Sequence, residues 1–233
     1  MTKIRIASFN VEFSKSTTPE EVGEMFRPFQ FDLIGFCEVP DGDWTARVGQ
    51  VLGLEHAFVG AVSSANHKDK YKSILSRQPL AQPEEIRLEV AGGWNPASVV
   101  RAEVEFGGVR ILFHSLHICS CGLADGHARL LAHGVLAKES SRCVIAVGDF
   151  NSRLGDADMD TFAAAGFRST WQDLPLDTAQ LHTYNAFDPE VDFGVIDQIV
   201  YTASSQAKAT DGGIIELEKP LADHKPIWAE ITL

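Results

Sequence analysis

The stretch Val144-Ile145-Ala146-Val147-Gly148-Asp149-Phe150-Asn151 predicts a buried β-strand that ends in polar side chains. The four apolar residues at its start are typical of a strand in a protein core. Gly148 permits a tight exit, and extended backbone would place the side chains of Asp149 and Asn151 on one face. A carboxylate there can take a proton from water, and a carboxamide can donate to an anion. A turn in which Asp149 and Asn151 bond their own backbone explains the same residues.

Other predicted strands also end in polar side chains. Lys3–Val11 alternates as a strand does, with Asn10 and Glu12 at its end on a common side. The apolar segment Phe31–Val39 is predicted to be a strand, and Glu38 lies near its end. Later strands add His117 on the strand that starts at Val109 and runs on to Cys119, Asp197 within Val195–Tyr201, and Asp223-His224 ahead of Pro226–Leu233. Each residue alone fits a turn, an edge or a loop, but their recurrence at strand ends indicates a shared site.

The rest of the pattern supplies helices and a hairpin. Thr18-Pro19-Glu20-Glu21 has the N-cap, first-turn proline and capping-box glutamate of a helix start. Val100–Phe106 and Val109–Phe113 alternate around Gly107-Gly108, which predicts a hairpin. Further helices are predicted at 44–52, 124–140 and 159–165, two strands within 56–76, and a short strand at 86–90. Many strands with few helices favour an α+β sandwich. We expect one domain over residues 1–233, since no repeat or Pro/Gly/Ser linker interrupts them.

The composition limits the classes of partner and compartment. The 233 residues carry a net charge of −12, with a pI of about 5.0, which argues against a long basic footprint on duplex nucleic acid. A nuclease that binds cations through its own carboxylates stays possible. The four cysteines are scattered, which indicates reduced thiols and a cytoplasmic protein. No apolar run approaches the roughly 18 residues of a membrane span, so no membrane partner is expected.

The carboxylates at the strand ends point to a divalent metal ion. They should repel one another unless a cation lies among them, and oxygen ligands of this kind suit Mg²⁺ or Mn²⁺. Such an ion would polarise a phosphoryl oxygen or stabilise the leaving oxygen while Asp149 positions a water molecule. The pattern therefore predicts metal-assisted hydrolysis of a phosphoester.

The order of these motifs resembles that of the endonuclease/exonuclease/phosphatase superfamily. The matching segments are Ser8-Phe9-Asn10-Val11-Glu12, Phe36-Cys37-Glu38-Val39, Ser73-Ile74-Leu75-Ser76-Arg77, Ser115-Leu116-His117, Gly148-Asp149-Phe150-Asn151, Ile196-Asp197-Gln198-Ile199 and Asp223-His224-Lys225-Pro226-Ile227. They span nearly the whole chain. The resemblance implies a four-layer α/β sandwich, with two packed, mainly antiparallel sheets flanked by helices, and Mg²⁺-dependent hydrolysis of phosphoesters. Gln198, where the family often has Tyr, and Val195, where it has Arg, weaken assignment to one branch.

The resemblance also implies a role for each residue of the site. Glu38 would be the principal metal ligand, supported by Glu12 and Asp223. Asp149 would orient or deprotonate the attacking water, although His224 is the alternative general base. The remaining residues would bind the phosphate or position those that do: Asn10, Asn151 and His117 as phosphate contacts, and Asp197 as the partner that fixes the tautomer of His224.

Weaker signals concern the rest of the substrate. The basic run Lys68, Lys70, Lys72 and Arg77 is either a solvated loop or a rim that holds an anionic substrate. Trp94 either stacks on a base or folds onto the core. The expected partner is a phosphoester, either a small molecule or a nucleic acid, so phosphodiesterase, phosphatase and nuclease activities all stay open. The acidic charge favours a small or single-stranded substrate. The alternative is a binding module that keeps the fold without turnover, and the oligomeric state is left open.

Overall fold

The computed structural model describes residues 2–89, 95–119, 124–139, 143–188 and 190–233. Over these residues the strands form two six-stranded sheets that pack face to face. The strands are β1 (Lys3–Asn10), β2 (Leu33–Val39), β3 (His56–Val59), β4 (Tyr71–Ser76), β5 (Ala81–Leu88), β6 (Ala97–Phe106), β7 (Val109–His117), β8 (Cys143–Asp149), β9 (Phe167–Ser169), β10 (Asp197–Thr202), β11 (Lys208–Ile214) and β12 (Ile227–Thr232).

The helices are short. They are α1 (Pro19–Phe26), α2 (Trp44–Leu52), α3 (Ala124–Arg129) and α4 (Ala157–Ala164). After α3 the chain continues as a π-helix (Leu130–Val135) and a 3₁₀ helix (Leu136–Glu139). Single 3₁₀ turns lie at Glu12–Ser14, Arg27–Phe29, Ser64–Asn66, Thr170–Gln172 and Thr178–Gln180.

Three apolar clusters hold four layers together. Between the sheets, side chains such as Ile6 of β1 and Val147 of β8 form the central core. Val22 of α1 packs on the outer face of the first sheet, and Phe162 of α4 packs on the outer face of the second. The expected α+β sandwich, with helices flanking two mainly antiparallel sheets, is confirmed.

A parallel pair of strands at the centre of each sheet determines where polar side chains collect. The sheet orders are β11-β12-β1-β2-β4-β3 and β5-β6-β7-β8-β10-β9. β1 runs parallel to β2 and β7 to β8, whereas their other neighbours are antiparallel. The carboxyl ends of four central strands therefore meet at one edge of the sandwich, where the antiparallel neighbours β10 and β12 begin.

Most elements lie where the sequence predicts them. The capping box of α1 is confirmed, because the Thr18 hydroxyl accepts the Glu21 N–H and the Glu21 carboxylate accepts the Thr18 N–H. The predicted helix 124–140 is helical through residue 139, but π and 3₁₀ geometry follow its first turns. Ser140 and Val90, the ends of two predicted elements, lie outside the described residues.

The sequence misses edge strands. β11 has the sequence Lys-Ala-Thr-Asp-Gly-Gly-Ile, which lacks apolar alternation, and a bulge shifts its register on β12. β5 begins at Ala81 instead of Ile86, and an edge strand tolerates the Pro83 that it contains. Each strand buries only a few side chains, such as Ala209 of β11 and Leu88 of β5, and pairs with one neighbour at the edge of its sheet. Among the described residues no helix is long and apolar enough to span a membrane.

Replacing Gly148 by Ala is expected to destabilise the protein. Gly148 has φ +151°, and a Cβ atom there would overlap the carbonyl oxygen of Leu116 on the neighbouring strand β7. Since two backbone segments would have to separate, we expect the free energy of unfolding to fall by about 3 kcal/mol. Urea denaturation followed by circular dichroism measures the change.

Gly126→Ala is the matched control. A Cβ atom at Gly126 on α3 meets nothing within 4 Å, so the free energy of unfolding should stay unchanged or rise by up to about 1 kcal/mol. Equal stability of the two variants would contradict the tight packing of β7 against β8 at Gly148.

Candidate active site

The edge where the central strands end contains an open cleft of about 320 Å³. Asn10 at the end of β1 and Glu38 near the end of β2 come from the first sheet. His117 at the end of β7 and Asp149 at the end of β8 come from the second. Four more of the predicted residues line the cleft: Lys70, Asn151, Asp223 and His224. The structure therefore brings together side chains that lie more than 200 residues apart in sequence.

Asp149 is the buried hub of the cleft. Its Oδ2 accepts a hydrogen bond from Asn10 Nδ2 at 3.1 Å, and its Oδ1 accepts the Asn151 N–H at 2.9 Å. His117 Nε2 and His224 Nε2 lie 3.3 and 3.5 Å from Oδ2. Burial alone would raise the pKa of Asp149, but the charges of His224 and His117 and the hydrogen bonds from His117 and the Asn151 N–H lower the pKa to about 2. The group is therefore a carboxylate at neutral pH.

His224 and Asp197 form a buried pair behind Asp149. His224 Nδ1 donates to Asp197 Oδ2 at 2.8 Å. Burial would lower the pKa of His224, yet the Asp197 and Asp149 carboxylates raise it to about 10. The hydroxyl of Thr183 accepts the Asp197 N–H at 3.3 Å and fixes the start of β10. His224 is thus a protonated imidazolium that directs Nε2 toward the cleft.

His117 and Asn151 line another part of the cleft. Asn151 Nδ2 donates to the Ile118 carbonyl at 2.8 Å and lies 3.4 Å from His117 Nε2. Asn151 has φ 48°, a left-handed conformation that asparagine adopts more readily than most residues. The backbone turn after β8 therefore places the carboxamide beside the imidazole.

A bulge aims Glu38 into the cleft. The register of β2 against β4 shifts between Cys37 and Val39, and Glu38 has φ 52°. Its Oε1 lies 3.0 Å from Lys70 Nζ and 3.7 Å from His117 Nδ1. Unusual backbone at a buried carboxylate is a common mark of a functional position.

Glu12 and Asp223 extend the acidic group. The structure corrects one detail here: β1 ends at Asn10, and Glu12 follows in a left-handed turn with φ 44°, so strand alternation does not align the two. Glu12 Oε2 nevertheless accepts the Asp223 N–H at 3.2 Å. Burial, reinforced by Glu12 and Glu38 and opposed by His224, raises the pKa of Asp223 to about 6.

The acidic residues fit a divalent cation. The buried Oδ1 atom of Asp223 has no hydrogen-bond partner within the described part of the chain. A buried carboxylate oxygen without a donor, surrounded by further carboxylates, suits an oxygen-liganded cation. Asp149, Asp197 and His224 also offer atoms within 4.8 Å of one another, a spacing that a metal ion can bridge. Because His224 is protonated and bonded to Asp197, this second group is better suited to hydrogen bonding than to ligation.

The model of the endonuclease/exonuclease/phosphatase family matches residues 7–224, which run from β1 to His224. The chain belongs to this family. No curated protein matches the sequence.

Solved structures of the endonuclease/exonuclease/phosphatase family have the same fold. A family protein from Beutenbergia cavernae DSM 12333 aligns over 100% of this chain and 72% of its own, with 16% identity and a TM-score of 0.79. Mannosyl-6-phosphatase Bt3783 from Bacteroides thetaiotaomicron VPI-5482 aligns over 99% and 100%, with 19% identity and a TM-score of 0.75. D. rerio TDP2 complexed with single strand DNA product aligns over 100% of both chains, with 16% identity and a TM-score of 0.77. At such low sequence identity, the similarity to these structures shows a shared fold and says nothing about activity.

The structure corrects most of the predicted basic rim. Lys70 lines the cleft, but Lys72 is fully buried and its Nζ donates to Ser64 Oγ at 2.9 Å. Burial lowers the pKa of Lys72 to about 8. Arg77 lies at the far end of β4, where it bonds Asp32 Oδ1 at 3.0 Å. Lys68 is exposed outside the cleft lining, and Trp94 lies outside the described residues.

Sequence reasoning missed the apolar side of the cleft. Tyr184, Phe193 and Ile196 line it, and the Tyr184 ring packs against the His224 ring with centroids 5.0 Å apart. The loop that carries Tyr184 and Phe193 has neither helical nor strand periodicity, so no pattern pointed to these two residues. Aromatic residues in a loop rich in Asp, Pro and Gly were the one available signal.

Replacing Lys70 by Gln is expected to strengthen metal binding. The ammonium group lies 3.0 Å from Glu38 Oε1 and repels any cation that binds there. Because the substitution removes one positive charge, we expect affinity for Mn²⁺ to rise about tenfold, or about 1.4 kcal/mol. Isothermal titration calorimetry without substrate measures it. Lys68→Gln is the control and should leave the affinity unchanged, and an unchanged or weaker affinity in Lys70→Gln would contradict the expectation.

Proposed function

We propose that the protein hydrolyses phosphoester bonds with Mg²⁺, or Mn²⁺ in its place, by in-line attack of water. The main support is the meeting of Glu38, Asp149 and His224, from three distant parts of the sequence, in one cleft. A carboxylate, a protonated imidazole and an acidic group suited to a cation are the groups that phosphoester hydrolysis requires.

The proposed metal site consists of Glu38, with Glu12 and Asp223 in support. When bound, the ion would supply charge neutralisation at the phosphoryl and leaving oxygens. The protein holds these carboxylates in place through the bulge at Glu38 and the bond from the Asp223 N–H to Glu12. Lys70 lies beside Glu38 and would keep a positive charge at the same end of the cleft.

The proposed role of Asp149 is to orient the attacking water and accept its proton. The raised pKa of His224 favours Asp149 over His224 as the base, because the Asp197 and Asp149 carboxylates keep both nitrogens of the imidazole protonated. His224 Nε2 would instead donate to the phosphate and stabilise charge as the transition state forms. Asn10, Asn151 and His117 lie around Asp149 and would add donors to the other phosphoryl oxygens.

We further propose a single domain, a reducing compartment and a phosphoester partner. The central core draws side chains from both sheets, including β1 and β12, which supports one domain over residues 1–233. Cys37 and Cys143 are free thiols, which supports a reducing compartment such as the cytoplasm. Related folds include a mannosyl-6-phosphatase and TDP2 bound to a single strand DNA product, which supports a phosphoester partner that is either a small molecule or a nucleic acid.

The test is hydrolysis of p-nitrophenyl phosphate, bis-p-nitrophenyl phosphate, plasmid DNA and abasic DNA. Turnover of at least one substrate with Mg²⁺ or Mn²⁺, abolished by EDTA and restored by excess metal, is expected. The monoester and diester also separate phosphatase from phosphodiesterase activity. Failure to hydrolyse any of them with metal would favour a binding module that retains the fold.

A further inference from the structure

Three consecutive residues just after β1 have a left-handed backbone. Glu12, Phe13 and Ser14 have φ values of 44°, 60° and 55°. Such conformations are uncommon for residues other than glycine, and they persist where surrounding contacts enforce them, often beside functional groups. Glu12 belongs to the proposed metal site, and Trp44 Nε1 donates to Ser14 Oγ at 2.9 Å. The turn therefore fixes the position of the Phe13 ring between a proposed metal ligand and an anchored serine.

The Phe13 ring contacts a second loop, which runs from Ser63 to Lys70. It stacks on the His67 ring, with centroids 4.3 Å apart and planes at 22°. The Lys70 ammonium nitrogen lies 5.3 Å from the centre of the Phe13 ring, a distance at which the face of an aromatic ring attracts a cation. Phe13 therefore contacts both an imidazole and an ammonium group of the same loop.

Hydrogen bonds brace the loop that carries Lys70. Ser63 Oγ accepts the Lys70 N–H at 2.9 Å and donates to the His67 carbonyl. The Ser64 N–H donates to the Lys70 carbonyl at 3.2 Å. The buried Lys72 Nζ in turn donates to Ser64 Oγ at 2.9 Å. The main chain at Lys70 is thus fixed, which leaves the direction of its long side chain to the groups around the ammonium.

The ammonium group of Lys70 has two attractive neighbours. Glu38 Oε1 lies 3.0 Å from Nζ, and the Phe13 ring is the second neighbour. An ion pair alone holds a lysine weakly, because the long side chain loses rotamer freedom and water screens the charges. A ring contact that favours the same direction offsets part of that cost. The Lys70 side chain is accordingly only 19% exposed.

We infer that Phe13 is a positioning residue that holds the Lys70 ammonium group against the Glu38 carboxylate. The inference rests on the proposed metal site at Glu38 and adds a control on its affinity. The more firmly Lys70 is held, the more strongly a divalent cation must compete for the carboxylate. Phe13 acts through Lys70 and does not itself line the cleft.

The test measures Mn²⁺ affinity by isothermal titration calorimetry without substrate. Phe13→Leu keeps an apolar side chain but removes the ring, and we expect the affinity to rise about threefold, the scale of one cation–π contact. Phe13→Tyr keeps the ring and should match the native protein. In the Lys70→Gln background, Phe13→Leu should leave the affinity unchanged, because there is no ammonium group to hold.

The double substitution separates positioning through Lys70 from a general effect on the fold. A rise that persists in the Lys70→Gln background would overturn the inference, and so would a Phe13→Leu affinity equal to or below the native value. Phe187→Leu is the matched control and should leave the affinity unchanged. Phe187 is 48% exposed in another loop and does not line the cleft.

His67→Asn is the second variant, in case circular dichroism shows that Phe13→Leu lacks the native fold. Its Oδ1 atom can accept the Asp69 N–H, which His67 Nδ1 accepts at 3.1 Å. The substitution removes the ring that stacks on Phe13, so the Mn²⁺ affinity should rise by about twofold. An unchanged affinity in a folded His67→Asn protein would count against the inference in the same way.

Reductive methylation of lysines provides a readout that needs neither metal nor turnover. Mass spectrometry of the peptides gives the rate at each amine. Lys70 should react about threefold faster in Phe13→Leu than in the native protein or in Phe13→Tyr, whereas the exposed Lys68 should react at one rate in all three. Equal rates at Lys70 would overturn the inference. If no phosphoester is hydrolysed or no Mn²⁺ binds, the proposed function fails, and methylation still decides the role of Phe13.

Discussion

Asp149→Asn is expected to lower kcat by at least about 100-fold, the scale of a lost acid–base or electrostatic group. The carboxamide fills the same space but cannot accept a proton from water. In the native protein two imidazoles and the Asn10 amide approach the Asp149 carboxylate. In the variant they would meet a neutral amide instead. Steady-state kinetics on the best hydrolysed p-nitrophenyl ester, at saturating Mg²⁺, give kcat and KM separately.

Asp160→Asn is the control for this loss. Asp160 is exposed on α4, so the same change of charge and shape should leave kcat within about twofold, as expected of a surface substitution. A kcat near the native value in Asp149→Asn would remove Asp149 from its proposed role and leave His224 as the candidate base.

His224→Ala is the second substitution with a large expected effect, again a loss of kcat of at least about 100-fold. It removes the imidazolium that would donate to the phosphate, and it leaves the Asp197 carboxylate buried without its 2.8 Å partner. Because the unpaired charge could also unfold the protein, His224→Gln is measured beside it. The glutamine amide can bond Asp197 but carries no charge, so a folded His224→Gln protein with native kcat would contradict the role.

The pH profile tests the same pair independently. The pKa of His224 is raised to about 10 by Asp197 and Asp149, so the protonated form is present below that pH and is lost as pH rises through it. Activity that needs the imidazolium should therefore fall on the alkaline side. Asp197→Asn removes the first of these carboxylates, and the alkaline limb should move to lower pH. An unchanged limb would indicate that the profile reports another group.

The fold and most of the site could be predicted because both follow from where strands end. Apolar segments such as 144–147 indicate buried strands without any tertiary information, and the polar residue after each one is then placed at an edge. The recurrence of polar residues at strand ends indicated one shared site, whereas the role of each residue came from the family resemblance, since no local pattern states which strands are parallel. β11 escaped prediction because its sequence lacks apolar alternation, and its pairing with β12 is a tertiary contact that no local pattern states.

The errors at the site have a common physical cause. A run of charged residues gives no direction for its side chains. Both faces of β4 are buried, which encloses Lys72, and the length of the strand carries Arg77 to the opposite edge. Lys70 precedes the strand and reaches Glu38. Tyr184 and Phe193 owe their positions to hydrogen bonds with the His224 segment, and such long-range contacts leave no periodic trace in the sequence.

The most direct measurement is the position of Mn²⁺ in crystals of the native protein, located by anomalous scattering. The account predicts an anomalous peak within about 2.0–2.6 Å of a Glu38 carboxylate oxygen, with Asp223 or Glu12 in direct or water-mediated contact, and no peak in crystals of Glu38→Ala. A peak centred between Asp149, Asp197 and His224, with Glu38 free of metal, would contradict it.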